Sequence, residues 1–189
     1  ETQLVANKTN QLPVFSYFNV NQVETKGVEC NLSYNINKNW KLNVGYQLLH
    51  AFDTDLLKRF NQDTLYARDP ETNESIELNK NDYLGLYNRS KHQINLNISY
   101  YLNEKTSLSS RLNYRSKYGL SDSNGNDFLD TYDELIDAYA LLDLSISHQL
   151  NKNYDIQFGA NNIFDYTNPV HISSISGRIY FIKLNMNLK

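Results

Sequence analysis

Strict alternation of apolar and polar residues is the feature that most restricts how this 189-residue chain folds. In seven segments the even-numbered residues are apolar and the odd-numbered residues are polar, with Ser110, Leu141, Ile179 and Phe181 as the exceptions. The segments are 28–35, 40–48, 93–100, 108–115, 140–147, 155–161 and 179–189. A period of two places alternate side chains on opposite faces of a β-strand. The pattern predicts seven strands of about ten residues or more, each with one apolar face.

The connections between these segments alternate in length. Links of a few polar residues at 35–39, 103–106 and 151–153 are followed by long ones at 52–89, 119–137 and 166–176. Short turns at one rim and long loops at the other are typical of outer-membrane β-barrels. The predicted strands near 15–35, 90–102, 138–150 and 177–189 run towards the short turns, and the three others run away from them. A soluble β-sandwich shows the same alternation and stays open as an alternative.

Composition excludes several classes of protein. Cys30 is the only cysteine, so neither an intramolecular disulfide nor a paired-cysteine zinc site is expected. The net charge of -3 comes without a basic run, which argues against nucleic-acid binding. No apolar run is long enough for a transmembrane helix, and the first ten residues do not resemble a signal peptide. A closed sheet can still cross a bilayer, because it satisfies its own backbone groups.

Aromatic residues are abundant, with 15 Tyr and 8 Phe against a single Trp. In the predicted topology they form two bands, as the aromatic girdles of a membrane barrel do. One band lies beside the short turns and the other lies towards the long loops. The residues are Tyr34, Trp40, Tyr100 and Tyr154 in the first band, and Phe18, Tyr114, Phe164 and Tyr180 in the second.

Four local strings resemble those of the C-terminal half of TonB-dependent receptors, in that family's order. They are Asn-Val at 19–20 with Thr-Lys-Gly-Val-Glu at 25–29, Arg-Ser-Lys-His at 89–92, Phe-Gly-Ala-Asn-Asn-Ile-Phe-Asp-Tyr at 158–166, and Gly-Arg-Ile-Tyr-Phe at 177–181. The resemblance implies that residues 1–189 are the last seven or so strands of an all-β, antiparallel transmembrane barrel of about 22 strands. The plug domain and first strands would be absent. The Asn, Lys and Tyr content is similar to that of Bacteroidetes members.

The resemblance implies a function as well. The expected activity is active, TonB-dependent import of a scarce nutrient across the outer membrane of a Gram-negative bacterium: an iron siderophore, haem, cobalamin, or a glycan or peptide. Expected partners are outer-membrane lipid, the TonB complex through the missing plug, the nutrient, and a surface lipoprotein lid. A passive porin or adhesin-like barrel is the alternative. An enzyme is not expected, because His50, His92 and His148 fall on the apolar face.

Candidate ligand contacts are basic side chains on one strand's polar face, tyrosines of the longest loop and a histidine of the last loop. They are Arg111, Arg115, Lys117, Tyr83, Tyr87 and His171. The basic group could steer an anionic ligand, or it could contact the plug or water. Phe60 and Tyr66 could complete an aromatic ligand mouth. Gly45 and Gly159 fall on the polar face, where a missing side chain is expected to leave room for a plug.

The segment 122–133 has the oxygen spacing of a twelve-residue calcium loop. Oxygen-bearing side chains occupy its positions 1, 3, 5, 9 and 12, which are Asp122, Asn124, Asn126, Asp130 and Asp133. The spacing resembles that of EF-hand and dockerin loops, although Asp127 stands where their turn has Gly. The sequence predicts a structural calcium ion here, with no other cofactor required. The alternative is a solvated acidic loop built of turn-forming residues.

Overall fold

A seven-stranded antiparallel sheet, called the wall below, dominates the computed structural model, which describes residues 2–6, 14–17 and 22–186. Its strands are β3 (Val23–Asn35), β4 (Trp40–Asp53), β8 (His92–Asn103), β9 (Thr106–Arg115), β13 (Tyr139–Asn151), β14 (Tyr154–Asn161) and β15 (Ile179–Met186). They pair in chain order, as a meander. The predicted number, order and direction of the strands are therefore confirmed, although β14 has only 8 residues and 8 residues of β15 are described.

Residues 15–35 do not form the single strand that the predicted topology assigned to them. β1 (Thr2–Ala6) and β2 (Val14–Tyr17) form a separate antiparallel hairpin, and β3 begins at Val23. Val14–Tyr17 pairs with Thr2–Ala6, so a local partner satisfies its backbone groups. Phe18, the Asn-Val string at 19–20 and the last three residues of the predicted final strand lie outside the described residues.

The register of the wall keeps even-numbered residues opposite even-numbered residues. One continuous row runs through all the strands after β3: Trp40, Tyr100, Leu108, Ile146, Phe158 and Ile182. The even-numbered side chains form the apolar face of the wall, and the odd-numbered side chains form its polar face. On the apolar face Val28 is 62% exposed and Ile182 is 72% exposed. No second sheet covers this face in the described part of the chain, so the sandwich alternative does not describe the fold.

An asparagine side chain stabilises each short turn of the wall. Asn37 accepts hydrogen bonds from the backbone N–H groups of Asn39 (2.8 Å) and Trp40 (3.0 Å). Asn103 and Asn151 each accept one from the residue two positions later, at 2.9 Å and 2.8 Å. Such side-chain bonds replace a backbone turn and are typical of asparagine. These turns fix the register that keeps the apolar residues on one side.

Trp40 and Tyr100 lie next to the short turns, as the sequence indicated. They are opposite each other in the register, and their ring centroids are 4.4 Å apart. Aromatic pairs across neighbouring strands stabilise a sheet by more than their buried area alone. This pair marks the short-turn rim of the apolar face.

The long connections contain their own secondary structure. The first holds α1 (Thr54–Gln62), β5 (Leu65–Arg68), β6 (Ser75–Leu78), a 3-10 helix (Lys80–Asp82) and β7 (Tyr83–Gly85); the second holds β10 (Tyr118–Ser121), β11 (Leu129–Asp130) and β12 (Glu134–Ile136). β5 pairs with β6, β10 with β12, and β7 with β11, so the last pairing joins the two connections. In the described segments, no helix combines the length and apolar character needed to cross a membrane.

Candidate functional site

The two longest connections pack into one body, called the loop unit below. Its hydrophobic centre contains Leu56, Leu65, Ala67 and Leu78 from the first connection and Phe128 from the second. Asp53 begins α1 by accepting hydrogen bonds from the N–H groups of Asp55 (2.8 Å) and Leu56 (3.3 Å), and this cap sets the helix face that buries Leu56. The loop unit is therefore a folded structure at one rim of the wall.

Aromatic rings hold the loop unit together. Phe60 and Tyr83 each contact Phe128 edge-on, with ring centroids 5.8 Å and 6.2 Å apart, and the Tyr83 hydroxyl accepts a hydrogen bond from the Asp53 N–H at 2.9 Å. Phe60 and Tyr83 thus pack inside the loop unit. Tyr66, by contrast, is 51% exposed, and Tyr87 is half-buried. The aromatic ligand mouth stays a prediction, now concentrated on Tyr66 and Tyr87.

The acidic segment 122–133 is organised by bonds from carboxylates to its own backbone. Asp122 accepts from the N–H groups of Gly125 (2.6 Å), Asn126 (3.3 Å) and Asp127 (2.8 Å). Asp133 accepts from those of Ser123 (2.8 Å), Asn124 (3.3 Å) and Asp130 (2.8 Å). Positive φ angles at Gly125 and Asp127 allow the tight turn. Asp127 thus adopts the backbone conformation for which calcium loops use glycine.

Two carboxyl groups of this segment are buried. Asp130 is fully buried and accepts from the side-chain amides of Asn124 (3.0 Å) and Asn126 (2.8 Å), while the Asn124 Oδ1 atom is buried without a partner. Burial raises the pKa of the Asp133 carboxyl to about 6, against the opposite effect of hydrogen bonds from the Asp130 and Ser123 N–H groups. The pKa is raised because burial penalises the charged form.

The five predicted calcium ligands therefore lie close together, but their side-chain oxygens mainly accept hydrogen bonds from N–H groups of the protein. Among the residues that the structure describes, no group of three or more His, Cys, Asp or Glu side chains is placed to hold a metal ion. Asparagine oxygens are also calcium ligands. The calcium site stays a prediction.

Arg115 joins the wall to the first long connection. Its guanidinium donates to the Ser90 hydroxyl (3.0 Å) and to the Asn88 carbonyl (2.8 Å), and it lies 3.8 Å from the ring centroid of Tyr118. Ser90 is almost completely buried. A planar, always charged guanidinium suits such combined hydrogen bonding and stacking. The structure gives Arg115 an anchoring role at the base of the loop unit.

Arg111 and Lys117 are more accessible than Arg115. Arg111 is exposed on the polar face, donates to the Asn97 side chain at 3.3 Å, and stands opposite Asp143 in the register. Lys117 is exposed and lies 3.8 Å from the carboxylate of Asp137. The three basic residues therefore do not form one stripe of equivalent charges. Arg111 has the greatest freedom to meet a ligand, because its hydrogen-bond partner is neutral.

His171 connects the last long connection to the loop unit. Its Nδ1 atom lies 3.5 Å from a Glu134 carboxylate oxygen, and the other Glu134 oxygen accepts a hydrogen bond from the Ser121 hydroxyl at 2.7 Å. The backbone N–H of His171 donates to Asn168 at 3.2 Å. All three long connections therefore meet at one rim. The ligand-binding assignments of Arg111, Arg115, Lys117, Tyr83, Tyr87 and His171 stay predictions.

Asn162, within the string at 158–166, closes the base of the last connection. It is 5% exposed, and its side-chain amide donates to the carbonyls of Tyr166 (2.7 Å) and Ser176 (2.9 Å) and accepts from the Tyr166 N–H (3.1 Å). Its own N–H donates to Asp143 at 2.9 Å. The φ angle of Asn162 is 52°, a left-handed conformation that asparagine tolerates.

Asp165 also stabilises the base of the last connection, and together with Asn162 it forms what we call the clasp. Its φ angle is 56°, and its carboxylate accepts from the Arg178 N–H at 2.7 Å, while the Arg178 side chain donates back to the Ile163 carbonyl at 3.0 Å. The sequence showed the string only as a family resemblance and gave these residues no role. Asn162 and Asp165 are of the two residue types that tolerate a left-handed backbone, and this is the sequence signal that could have predicted a folded turn here.

The glycines of the polar face have a different role from the one predicted. A side chain at Gly159 would collide with the Phe181 ring on the neighbouring strand and with the Leu144 carbonyl. A side chain at Gly45 would meet the Asn31 side chain at 2.8 Å. The space was expected to serve a plug, but neighbouring side chains of the wall already fill it. Phe181, an exception to the alternation, covers the glycine opposite it in the register.

A meander with one exposed apolar face, one polar face, short turns at one end and folded loops at the other defines a segment of the wall of an outer-membrane-type β-barrel. The sequence agrees with this class. Residues 2–163 match the family model "TonB dependent receptor-like, beta-barrel". The chain belongs to this family.

Solved structures share the fold. The siderophore receptor PiuA from Acinetobacter baumannii is 17% identical, with a TM-score of 0.60 over 87% of this chain and 22% of that one. The ferric-catecholate import receptor Fiu from E. coli K12, in its closed form, is 18% identical, with a TM-score of 0.60 over 95% and 23%. A mutant of the ferric enterobactin receptor PfeA from Pseudomonas aeruginosa is 16% identical, with a TM-score of 0.55 over 92% and 24%. The chain thus spans less than a quarter of each receptor. No curated protein sequence matches it.

Proposed function

We propose that this chain forms part of the wall and the outer rim of a transporter that imports a scarce nutrient across the outer membrane of a Gram-negative bacterium, with energy supplied through TonB. The single observation that carries the proposal is the family match over residues 2–163, on a fold that has the wall and rim of such a barrel. No covalent chemistry is required of the chain. The chain would help to enclose, bind and release the nutrient.

A ferric siderophore is the ligand class we favour over haem, cobalamin, glycans or peptides. The three similar structures are described as a siderophore receptor, a ferric-catecholate import receptor and a ferric enterobactin receptor. Their identities of 16–18% support the fold directly and the ligand only by analogy. In this chain, the exposed guanidinium of Arg111 on the polar face would attract an anionic ferric complex.

The wall and the loop unit would divide the work. The apolar face would contact lipid and the polar face would contact the plug and the passing ligand. The loop unit would lie outside the cell, where Tyr66, Tyr87, Lys117 and His171 could contact the ligand as it enters. A surface lipoprotein lid could close over this rim. The TonB complex would act through a plug that these residues do not include.

Uptake of radioactive iron by a host without its own ferric-catecholate receptors tests the proposal. The full-length receptor is expressed with and without functional TonB and supplied with a ferric catecholate, haem or cobalamin. We expect saturable uptake of the ferric catecholate that disappears without TonB. Uptake that continues without TonB would instead support a passive porin, and saturable uptake of haem or cobalamin alone would overturn the siderophore assignment.

Arg111→Gln tests the ligand-facing position within the same assay. We expect the half-saturating ligand concentration to rise on the order of tenfold, the loss expected for one charge-assisted hydrogen bond. Lys41→Gln is the matched control, because it removes one positive charge from the polar face next to a short turn. Equal effects of the two variants would show a general charge effect and no contact at Arg111.

A further inference from the structure

A depression of about 260 Å³ lies at the loop-side end of β4, where Leu57 and Tyr83 of the loop unit contribute to its lining. β4, the 3-10 helix, β7 and the residues leading into β8 surround it. Its lining combines basic and apolar side chains, and we call it the basic pocket. The residues that define it are His50, Phe52, Lys80, Leu84, Arg89 and Lys91.

No acidic side chain in the described part of the chain pairs with the basic side chains of this pocket. Lys80, Arg89 and Lys91 are exposed, and within the described residues none of their side chains forms an ion pair or hydrogen bond. Neighbouring carboxylates have other partners: Glu24, opposite Phe52 in the register, pairs with Lys26, Asp53 caps α1, and Asp82 accepts from the Asn79 N–H at 2.8 Å. No acidic residue lines the pocket. Three cations without an ion-pair partner among the described residues, around one depression, favour an anionic ligand.

The pocket adjoins the apolar face of the wall. His50 and Phe52 are even-numbered residues of β4 and continue the row of Tyr46 and Leu48 on that face. Lys26, opposite His50 in the register, places its ammonium 5.9 Å from the centroid of the Phe52 ring. Leu84 is 39% exposed at the pocket. The ligand must therefore be anionic at one end and compatible with an apolar surface at the other.

We propose that the basic pocket binds the phosphate-bearing headgroup of an outer-leaflet lipid, whose acyl chains lie along the apolar face. Guanidinium and ammonium groups bind phosphate, and basic pockets at a membrane interface recognise lipid headgroups in this way. An imported ligand would instead meet the polar face, on the opposite side of β4. The inference rests on the proposed placement in the outer membrane, but not on the identity of the nutrient.

Lipid binding to the purified full-length receptor tests the inference, with phosphatidic acid as the probe and phosphatidylcholine as the reference lipid. Bound lipid is counted by native mass spectrometry as each lipid is titrated. The test variant is Lys80→Gln/Arg89→Gln/Lys91→Gln. The control variant, Lys38→Gln/Lys105→Gln/Lys152→Gln, removes three charges from the short turns at the opposite rim. Because all six side chains are exposed, both variants should keep the heat-dependent gel migration of a folded barrel.

We expect phosphatidic acid to bind the natural receptor and the control variant with equal affinity, and to bind the test variant on the order of tenfold to a hundredfold more weakly. The range follows from a contribution of about fivefold for each basic residue beside an anionic headgroup. Equal loss in both variants, or no preference over phosphatidylcholine, would overturn the inference. Displacement of the lipid by equimolar inorganic phosphate would overturn it too, since it would assign a free-anion site.

Iron uptake measured on the same variants separates this inference from the proposed function. If the test variant loses lipid binding and keeps uptake, both proposals stand. If the natural receptor binds phosphatidic acid through the pocket but imports no ferric catecholate, only the proposed function fails.

Discussion

Replacing Asn162 by Ala should loosen the last long connection of the wall. The change removes three hydrogen bonds from a side chain that is only 5% exposed, and it leaves the carbonyls of Tyr166 and Ser176 without that donor. Each such bond contributes about 1 kcal/mol, and Ala pays about 1 kcal/mol more than Asn for a left-handed backbone. We expect the connection to lose about 4 kcal/mol of local stability.

Hydrogen–deuterium exchange on the full-length receptor in detergent measures this loss. A change of about 4 kcal/mol corresponds to a fall in protection on the order of a thousandfold for peptides within 162–178, with little change in β3 and β4. Asn162→Gly keeps the backbone free to adopt its φ angle of 52° and should retain about 1 kcal/mol more than Asn162→Ala.

Asn161→Ala is the matched control, because Asn161 is exposed and its side chain forms no hydrogen bond among the described residues. It should leave protection unchanged. The reasoning about the clasp is refuted if Asn162→Ala exchanges like the natural protein, and the hydrogen-bond part of it is refuted if Asn162→Gly does so.

Three further predictions follow from particular contacts. Gly159→Ala should lower the free energy of unfolding by about 2 kcal/mol through overpacking against Phe181, and adding Phe181→Leu should recover part of that loss. Gel migration followed during a urea titration measures the effect, and an unchanged urea midpoint for Gly159→Ala would contradict the tight packing. The fold raises the pKa of Asp133 from 3.8 to about 6 and therefore favours the protonated carboxyl. Exchange protection of 122–133, corrected for intrinsic rates, should fall as pH rises from 3.8 to about 6 and then level off. Asp133→Asn should abolish this dependence, and protection that rises with pH over this range would contradict it. If segment 122–133 binds calcium, its exchange protection should fall when calcium is chelated and should return with added calcium but not with magnesium. Protection that chelation leaves unchanged would contradict the calcium prediction.

The wall could be predicted from the sequence because its physics is local. A strand that faces an apolar medium on one side must alternate, and a short turn needs residues such as Asn37 and Asn103 that replace backbone hydrogen bonds. Both signals lie within a few residues of each other. The predicted boundary was wrong for 15–35, because strand pairing with Thr2–Ala6 was not visible in the alternation.

The site was less predictable, because charge and aromatic content do not reveal what a side chain contacts. Arg111 and Arg115 look equivalent in the sequence, four residues apart on one strand face. In the structure Arg111 is exposed, whereas Arg115 is held by Ser90, Asn88 and Tyr118. Tyr83 was grouped with Tyr66, yet one packs inside the loop unit and the other faces solvent.

The sequence by itself determined the number of wall strands, their order and the side of each strand that meets an apolar medium, since an alternating pattern tolerates only one assignment of faces. Only the tertiary structure decided that two long connections form one packed body around Phe128, that Phe181 fills the space over Gly159, and that Lys80, Arg89 and Lys91 surround one pocket. These are contacts between residues far apart in the chain or on different strands. Such contacts depend on how the connections close, and no local pattern encodes that closure.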